Sequence, residues 1–333
     1  MNGHADEPSA FPIIDFSAFA GDASPESRIE TGKRIVNAYK TSGFIYLVNH
    51  GILPEEIDTV FKTARHFFED LPVDDKLKLS LDDPEANRGY LGPGRERVAM
   101  KEDSKEKADA NREATPDIKE SFEIGKEPHP KFANKWPEHM PEFRSNVMPF
   151  WERCHELHLK VLDAIALGFE LPSGYFTPFA DKKDHNLRVL YYPEVEVSKL
   201  LKPGQARIGA HTDYGTLTLL FQDSVGGLQV QTPQGDWVDA TPIPGSIVVN
   251  AGDLLARWSN DIIKSNPHRV MSPSAEKIVH NKFPLRQSVA FFCNPNFDAT
   301  ITVLDPCVTP EKPAAYPPVS TRDYLVQRLS VTY

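Results

Sequence analysis

His211-Thr212-Asp213 puts an imidazole and a carboxylate two residues apart. In an extended segment, residues i and i+2 point to the same face, so the two groups converge. Joined by a distant third histidine, such a pair makes a facial 2-His-1-carboxylate set, which leaves positions on Fe(II) open for substrate and oxygen. The dyad alone carries little weight: with 11 histidines in 333 residues, about one such match arises by chance. His4-Ala5-Asp6 is a second match, in a polar terminus. Context separates the two. The internal dyad follows a turn signal, Lys202-Pro203-Gly204, and precedes Tyr214-Gly215 and the apolar run TLTLLF. The candidate third ligand is His268, in Asn266-Pro267-His268-Arg269-Val270, about 55 residues past Asp213. That spacing suits two strands meeting across a barrel, not a helix or a finger. Read alone, His268 would be a structural histidine.

Arg286-Gln287-Ser288 comes next. Alternation places Arg286 and Ser288 on one face of a strand that continues into Val289-Ala290-Phe291-Phe292. A guanidinium pointing into an apolar barrel is costly unless it meets an anion. With a neighbouring hydroxyl it suits a carboxylate, gripped in bidentate fashion. Arg257-Trp258-Ser259 has the same spacing but lies on a predicted helical turn, where i and i+2 do not share a face. His155 and His158, three apart on a predicted helix, read as surface or core histidines rather than as a metal pair.

The elements that must position these residues fall into two halves. Periodicity predicts an edge strand over 11–16, helices over 27–40, 55–71 and 150–169, and a buried strand over 43–48. Residues 82–126 form a long loop, glycine-rich at 87–96 and charged over 101–117. It regains strand alternation near 116–125 and reads as a surface loop or an active-site cover. Short β-rich runs follow at 187–192, 216–221, 228–231, 237–240, 246–250 and 287–293, divided by Gly/Pro/Asp turns. Such spacing predicts an antiparallel sandwich or barrel, so the class is α+β.

The 29 prolines, against a typical ~5 per cent, agree with many short elements and disfavour a helical bundle. A net charge of −10 argues against nucleic acid or an anionic membrane as partner and leaves a small molecule. There is no long apolar run, no basic and apolar leader at the N-terminus, and three scattered cysteines (Cys154, Cys293, Cys307). These features lead us to expect a cytoplasmic protein with reduced thiols. Nothing in the pattern fixes an oligomeric state.

In this order, HTD…H…RxS on short strands resembles the 2-oxoglutarate- and Fe(II)-dependent dioxygenases of the isopenicillin-N-synthase-like group. The resemblance covers nearly the whole chain, including FPIIDF, SGFIYLVNHGI and HFFEDLPVDDKLKL. It implies a double-stranded β-helix (jelly-roll) core with flanking helices and a helix-rich N-terminal region wrapped on it. The divisions would be a flexible 1–10, an N-terminal region 11–180, the core 181–300 and a C-terminal extension with a helix, 301–333. By the same resemblance, His211, Asp213 and His268 bind Fe(II). Arg286 and Ser288 hold the distal carboxylate of 2-oxoglutarate, and Tyr192 also touches that cosubstrate. Leu190 stands where many plant relatives have Asn. Oxygen is the oxidant and ascorbate a stimulant. A substrate C–H becomes C–OH while 2-oxoglutarate becomes succinate and carbon dioxide.

Longer strings resemble the fungal thymine dioxygenases: PEANRGYLGPGRE, PDIKESFEIG, AHTDYGTLTLLFQD, NAGDLLARWSND, FFCNPN and YLVQRL. They imply a ring substrate between Tyr214 and Phe292, its edge read by Arg188 and Asn294, with Leu91 and Glu96 on a loop over the pocket. Each has a plainer reading: Tyr214 and Phe292 as core, Asn294-Pro295 as a turn, Arg188 as a strand–helix bridge. GFELP, HTDYG, the VGG turn and RERV also resemble the ethylene-forming enzyme, which fragments 2-oxoglutarate and hydroxylates arginine; there Glu96 would meet the guanidinium. Oxidation of a fungal secondary metabolite, a catalytically dead β-barrel binding protein and a zinc hydrolase on the same three ligands are the other readings.

Overall fold

The computed structural model describes residues 9–96, 117–201 and 205–332. The chain order is β1 (Ile13–Asp15), α1 (Pro25–Ser42), β2 (Phe44–Val48), α2 (Pro54–Asp70), α3 (Val73–Lys78), β3 (Gly89–Leu91), β4 (Glu120–Gly125) and α4 (Pro141–Gly168). Then come β5 (Asn186–Tyr192), β6 (Val195–Glu196), α5 (Val197–Leu200), β7 (Ile208–His211), β8 (Leu217–Gln222), β9 (Leu228–Gln231), β10 (Trp237–Asp239) and β11 (Ser246–Ala251). The C-terminal part holds α6 (Asp253–Trp258), β12 (His268–Val270), β13 (Lys282–Phe283), β14 (Arg286–Cys293), β15 (Thr300–Ile301), β16 (Val319–Ser320) and α7 (Thr321–Thr332).

Local chemistry sets the helix ends. Pro25 opens α1 behind Ser24, whose hydroxyl accepts from the Ser27 N–H, and Gly43 closes it with φ 62°. A Cβ at Gly43 would lie 2.3 Å from the Lys264 carbonyl oxygen, so both conformation and space demand glycine. Helix α4 starts well before the predicted residue 150 and runs through Pro149. The proline removes one backbone bond, but Phe143 and Val147 on the preceding turns are fully buried and hold the helix in place.

Two sheets make a jelly-roll core. The larger has eight strands in the order β1-β2-β11-β8-β14-β5-β4-β3; the smaller has four, β10-β9-β12-β7. The N-terminal half therefore supplies four strands of the main sheet as well as the helices around it. Part of the glycine-rich stretch is one of them: β3 pairs with β4 at the sheet edge. Alternation decides which face each strand buries. Ile45, Leu47, Val189, Leu219, Phe221, Val249 and Phe291 pack outward with α1, α2 and α4 side chains. Phe44, Tyr46, Leu190, Tyr192, Val248 and Ala290 face inward, towards Ile208, Leu228, Val230 and Val270 of the smaller sheet. Most of the charged stretch over 101–117, the Lys202-Pro203-Gly204 turn and nearly all of the 1–10 terminus lie outside the described residues.

Candidate active site

The smaller sheet brings the distant histidine into register. His268 opens β12 directly opposite His211, the last residue of β7, and the ring centroids are 4.2 Å apart. Asp213 lies two residues beyond β7 rather than on it, yet still turns its carboxylate to the same point. Its Oδ1 is 3.7 Å from His268 Nε2 and 3.9 Å from His211 Nε2. The orientation is held from behind. His211 Nδ1 faces the Gly209 carbonyl at 3.0 Å, and His268 Nδ1 faces that of Asn266 at 3.4 Å. Protons on Nδ1 leave both Nε2 lone pairs aimed inward. Asp213 Oδ2 accepts from Thr218 Oγ1 at 2.6 Å and Asn250 Nδ2 at 2.7 Å, so Oδ1 is left to point at the imidazoles. Burial and the adjacent His268 bring His211 down to about 4, so it is neutral, as a ligand must be. Burial works against the Asp213 charge, but His268 and His211 hold its carboxyl below the usual range. Three converging donors with this orientation fit a divalent metal of the Fe(II) type.

A second imidazole cluster does not. His155, His158 and His185 are buried with ring nitrogens within 4.8 Å of one another. The Asn294 N–H donates to His185 Nδ1, so the neutral ring carries its proton on Nε2, 3.0 Å from His155 Nδ1. Thr216 donates to the Cys293 carbonyl and accepts from His158 Nε2 at 3.1 Å. Among the described residues His158 Nδ1 is buried without a partner. Burial pushes all three rings down, His158 to about 3. They are neutral core histidines linked by shared protons.

Beside the triad a cleft opens to solvent. It is lined by His211, Asp213, Tyr214, Arg188, Phe292, Asn294 and Glu96. Leu91 is buried on β3 but does not line it. Arg286, Ser288 and Tyr192 do not line it either: they are buried inside the barrel, with Arg286 directly opposite Tyr192 in the β14–β5 ladder. The Arg286 guanidinium lies 4.7 Å from the Tyr192 ring and donates to Ser288 Oγ at 3.2 Å and to the Gly226 carbonyl at 2.9 Å. Leu190, also buried, faces the same interior.

The wall above the triad is ionic. Arg188 donates to Glu123 and, at 2.8 Å, to Glu96, and lies 5.2 Å from the Phe292 ring. Glu96 also takes Lys119. Burial would raise the Glu96 pKa, but Arg188 and Lys119 overcome it and hold the carboxyl at about 2. Asp117 is only 3.6 Å from Lys119, and burial carries it up to about 7. Asn294 donates through Nδ2 to the Asp184 carbonyl at 2.9 Å, so one of its two amide protons is committed. The Tyr214 hydroxyl meets Thr332 Oγ1 at 2.7 Å, and Arg328 lies 4.6 Å from its ring. Sequence reasoning missed Thr218, Asn250, Arg88, Asn186, Glu123 and the α7 residues Leu325, Leu329 and Thr332. Only the YLVQRL string bore a signal for α7.

Comparison with known proteins agrees with this geometry. The model of the 2OG-Fe(II) oxygenase superfamily matches residues 183–295, and that of the non-haem dioxygenase N-terminal region matches 11–142. A 2-oxoglutarate-Fe(II) type oxidoreductase of Metarhizium rileyi is 36% identical over 96% of this chain and 90% of its own. A proline hydroxylase of Petromyces alliaceus is 34% identical over 96% and 98%. Among solved structures, the thymine 7-hydroxylase of Neurospora crassa in complex with alpha-KG and thymine is 45% identical, covers 99% of each chain and has a TM-score of 0.88.

Proposed function

The chain belongs to the 2OG-Fe(II) oxygenase superfamily and is a 2-oxoglutarate-dependent dioxygenase, and we propose that it hydroxylates the methyl group of thymine or a closely related pyrimidine. The observation that carries the substrate reading is the wall beside the triad, where Arg188, Phe292 and Asn294 line one cleft. Its arginine is matched by Glu96 and Glu123, which favours a neutral ring over an anion. Phe292 offers a face for stacking, and Asn294 keeps one amide proton and its carbonyl for an imide edge. The likeness to the Neurospora hydroxylase solved with thymine points the same way. The ethylene-forming reading is less favoured. Glu96, the acid that would meet an arginine substrate, is already engaged by Lys119 and Arg188.

In this reading His211, Asp213 and His268 hold Fe(II), and Arg286 and Ser288 hold the distal carboxylate of 2-oxoglutarate. When bound, iron and cosubstrate supply the oxidising chemistry, with O2 as oxidant and succinate and carbon dioxide as co-products. The chain's own work is orientation. Thr218 and Asn250 fix which oxygen of Asp213 faces the metal, Nδ1 contacts fix both imidazoles, and the cleft wall sets the substrate over them. The zinc-hydrolase and binding-protein readings leave the chain's place among the dioxygenases unexplained.

The test is succinate release with Fe(II), 2-oxoglutarate and, in separate reactions, thymine, uracil and L-arginine with ethylene detection. Thymine is expected to give coupled succinate and hydroxymethyl product, and His211→Ala to abolish both. Arginine-dependent ethylene without thymine turnover would replace this substrate reading.

A further inference from the structure

Arg207 stands immediately before β7, four residues ahead of His211, and is fully buried. Its backbone N–H is pinned to the Val270 carbonyl at 2.7 Å. Among the described residues the side chain has one hydrogen bond, from Nη2 to the Pro284 carbonyl at 2.9 Å. Nε and Nη1 are buried with no partner among the described residues. The guanidinium centre lies 5.9 Å from the Tyr192 ring, the same ring that Arg286 approaches at 4.7 Å. Two buried guanidiniums thus share one phenol, and their like charges repel. Burial and Arg286 bring Arg207 down to about 10, so it remains protonated at neutral pH. Asp223 exerts an attraction on it. That carboxylate, however, already accepts the N–H groups of Val225 and Gln287. Among the described residues no acid forms an ion pair with either arginine. A buried, half-satisfied cation of this kind is costly unless an anion joins it.

We propose that Arg207 is a second positioning cation for the cosubstrate, supporting Arg286 on the distal carboxylate and so selecting a dicarboxylate 2-oxo acid over a monocarboxylate one. The proposal rests on the assignment of Arg286 and Ser288 to that carboxylate. It also places a cosubstrate contact and a metal ligand on one short segment, so the two are fixed together.

The experiment is anaerobic titration of the Fe(II)-loaded full-length protein with 2-oxoglutarate and with 2-oxopentanoate, which lacks the distal carboxylate. Binding is read from the visible charge-transfer band and by calorimetry. Arg207→Met is expected to weaken 2-oxoglutarate at least tenfold and to leave 2-oxopentanoate within twofold of the parent. Arg207→Lys keeps the charge but loses the fork, and is expected to weaken 2-oxoglutarate several-fold with the same selectivity. If the Met variant does not fold, the Lys variant decides. Equal weakening of both acids, or of neither, would show Arg207 to be structural and overturn the proposal. Arg286→Met separates the two assignments. Unchanged 2-oxoglutarate binding in that variant would remove the cosubstrate site itself. Loss there beside an unaffected Arg207→Met would remove only Arg207.

Discussion

Asp213 shows one carboxylate oxygen to His211 and His268 because Thr218 and Asn250 occupy the other. Removing one of those partners frees the carboxylate to rotate. Thr218→Val is therefore expected to weaken Fe(II) about tenfold in an anaerobic metal titration, with little change in fold. Asp117 gives a second test at this scale. Its folded pKa, about 7, lies above the ordinary 3.8, so the native state binds more protons than the unfolded one between those values. Stability contributed by this group therefore falls as pH rises through that window. Asp117→Asn removes the buried charge and is expected to gain roughly 2 kcal/mol at pH 8, shrinking towards pH 5, in denaturant melts. Single residues were legible where spacing within a strand carried the message. Arg286 and Ser288 do share an inward face, and His211 and Asp213 do converge although Asp213 sits just past the strand. Thr218 and Asn250 were not legible. Their role is a side-chain contact between strands β8, β11 and the loop after β7, and no local pattern announces it.

Strand register does for the cleft what hydrogen bonds do for the triad. The β4–β5 ladder sets Glu123 opposite Arg188 and Gly125 opposite Asn186, so the acid meets the guanidinium by pairing alone. Gly125 leaves room for the Arg88 guanidinium: a Cβ there would lie 1.5 Å from Arg88 Nη2. Arg88 in turn donates to Asn186 Oδ1 at 3.1 Å. Gly125→Ala is expected to displace Arg88, cost about 1–3 kcal/mol in thermal or denaturant unfolding, and raise the KM for the organic substrate. Most elements were readable because apolar periodicity is strong in α1, α2, β2, β8 and β14. The apolar spacing gave helix α4 only over 150–169; it begins at Pro141, and burial of Phe143 and Val147 outweighs the local break at Pro149. Strand β3 was hidden in a glycine-rich run whose pairing with β4 is a long-range event.

At the scale of the molecule, the cleft is built from both ends of the chain. Leu325, Leu329 and Thr332 of α7 line it, and Arg322 ties α7 to Glu85, another lining residue, at 2.5 Å. Removing residues 321–333 is expected to raise the KM for the organic substrate at least tenfold while shifting 2-oxoglutarate affinity much less, because Arg286 and Tyr192 lie inside the barrel. Parallel KM and charge-transfer titrations would check this. Among the described residues no helix is long and apolar enough to cross a membrane.

The N-terminal half also reaches inside the main sheet: β2, flanked by β1, pairs on its other side with β11, Val48 opposite Ser246, about 200 residues later. At ~5–20 residues per second, synthesis takes roughly 10–40 s to deliver that partner. During that time Phe44, Ile45, Tyr46 and Leu47, an uninterrupted apolar strand, have only β1 to pair with. The nascent chain is therefore expected to need shelter at this strand until after His211 and Asp213 have been made.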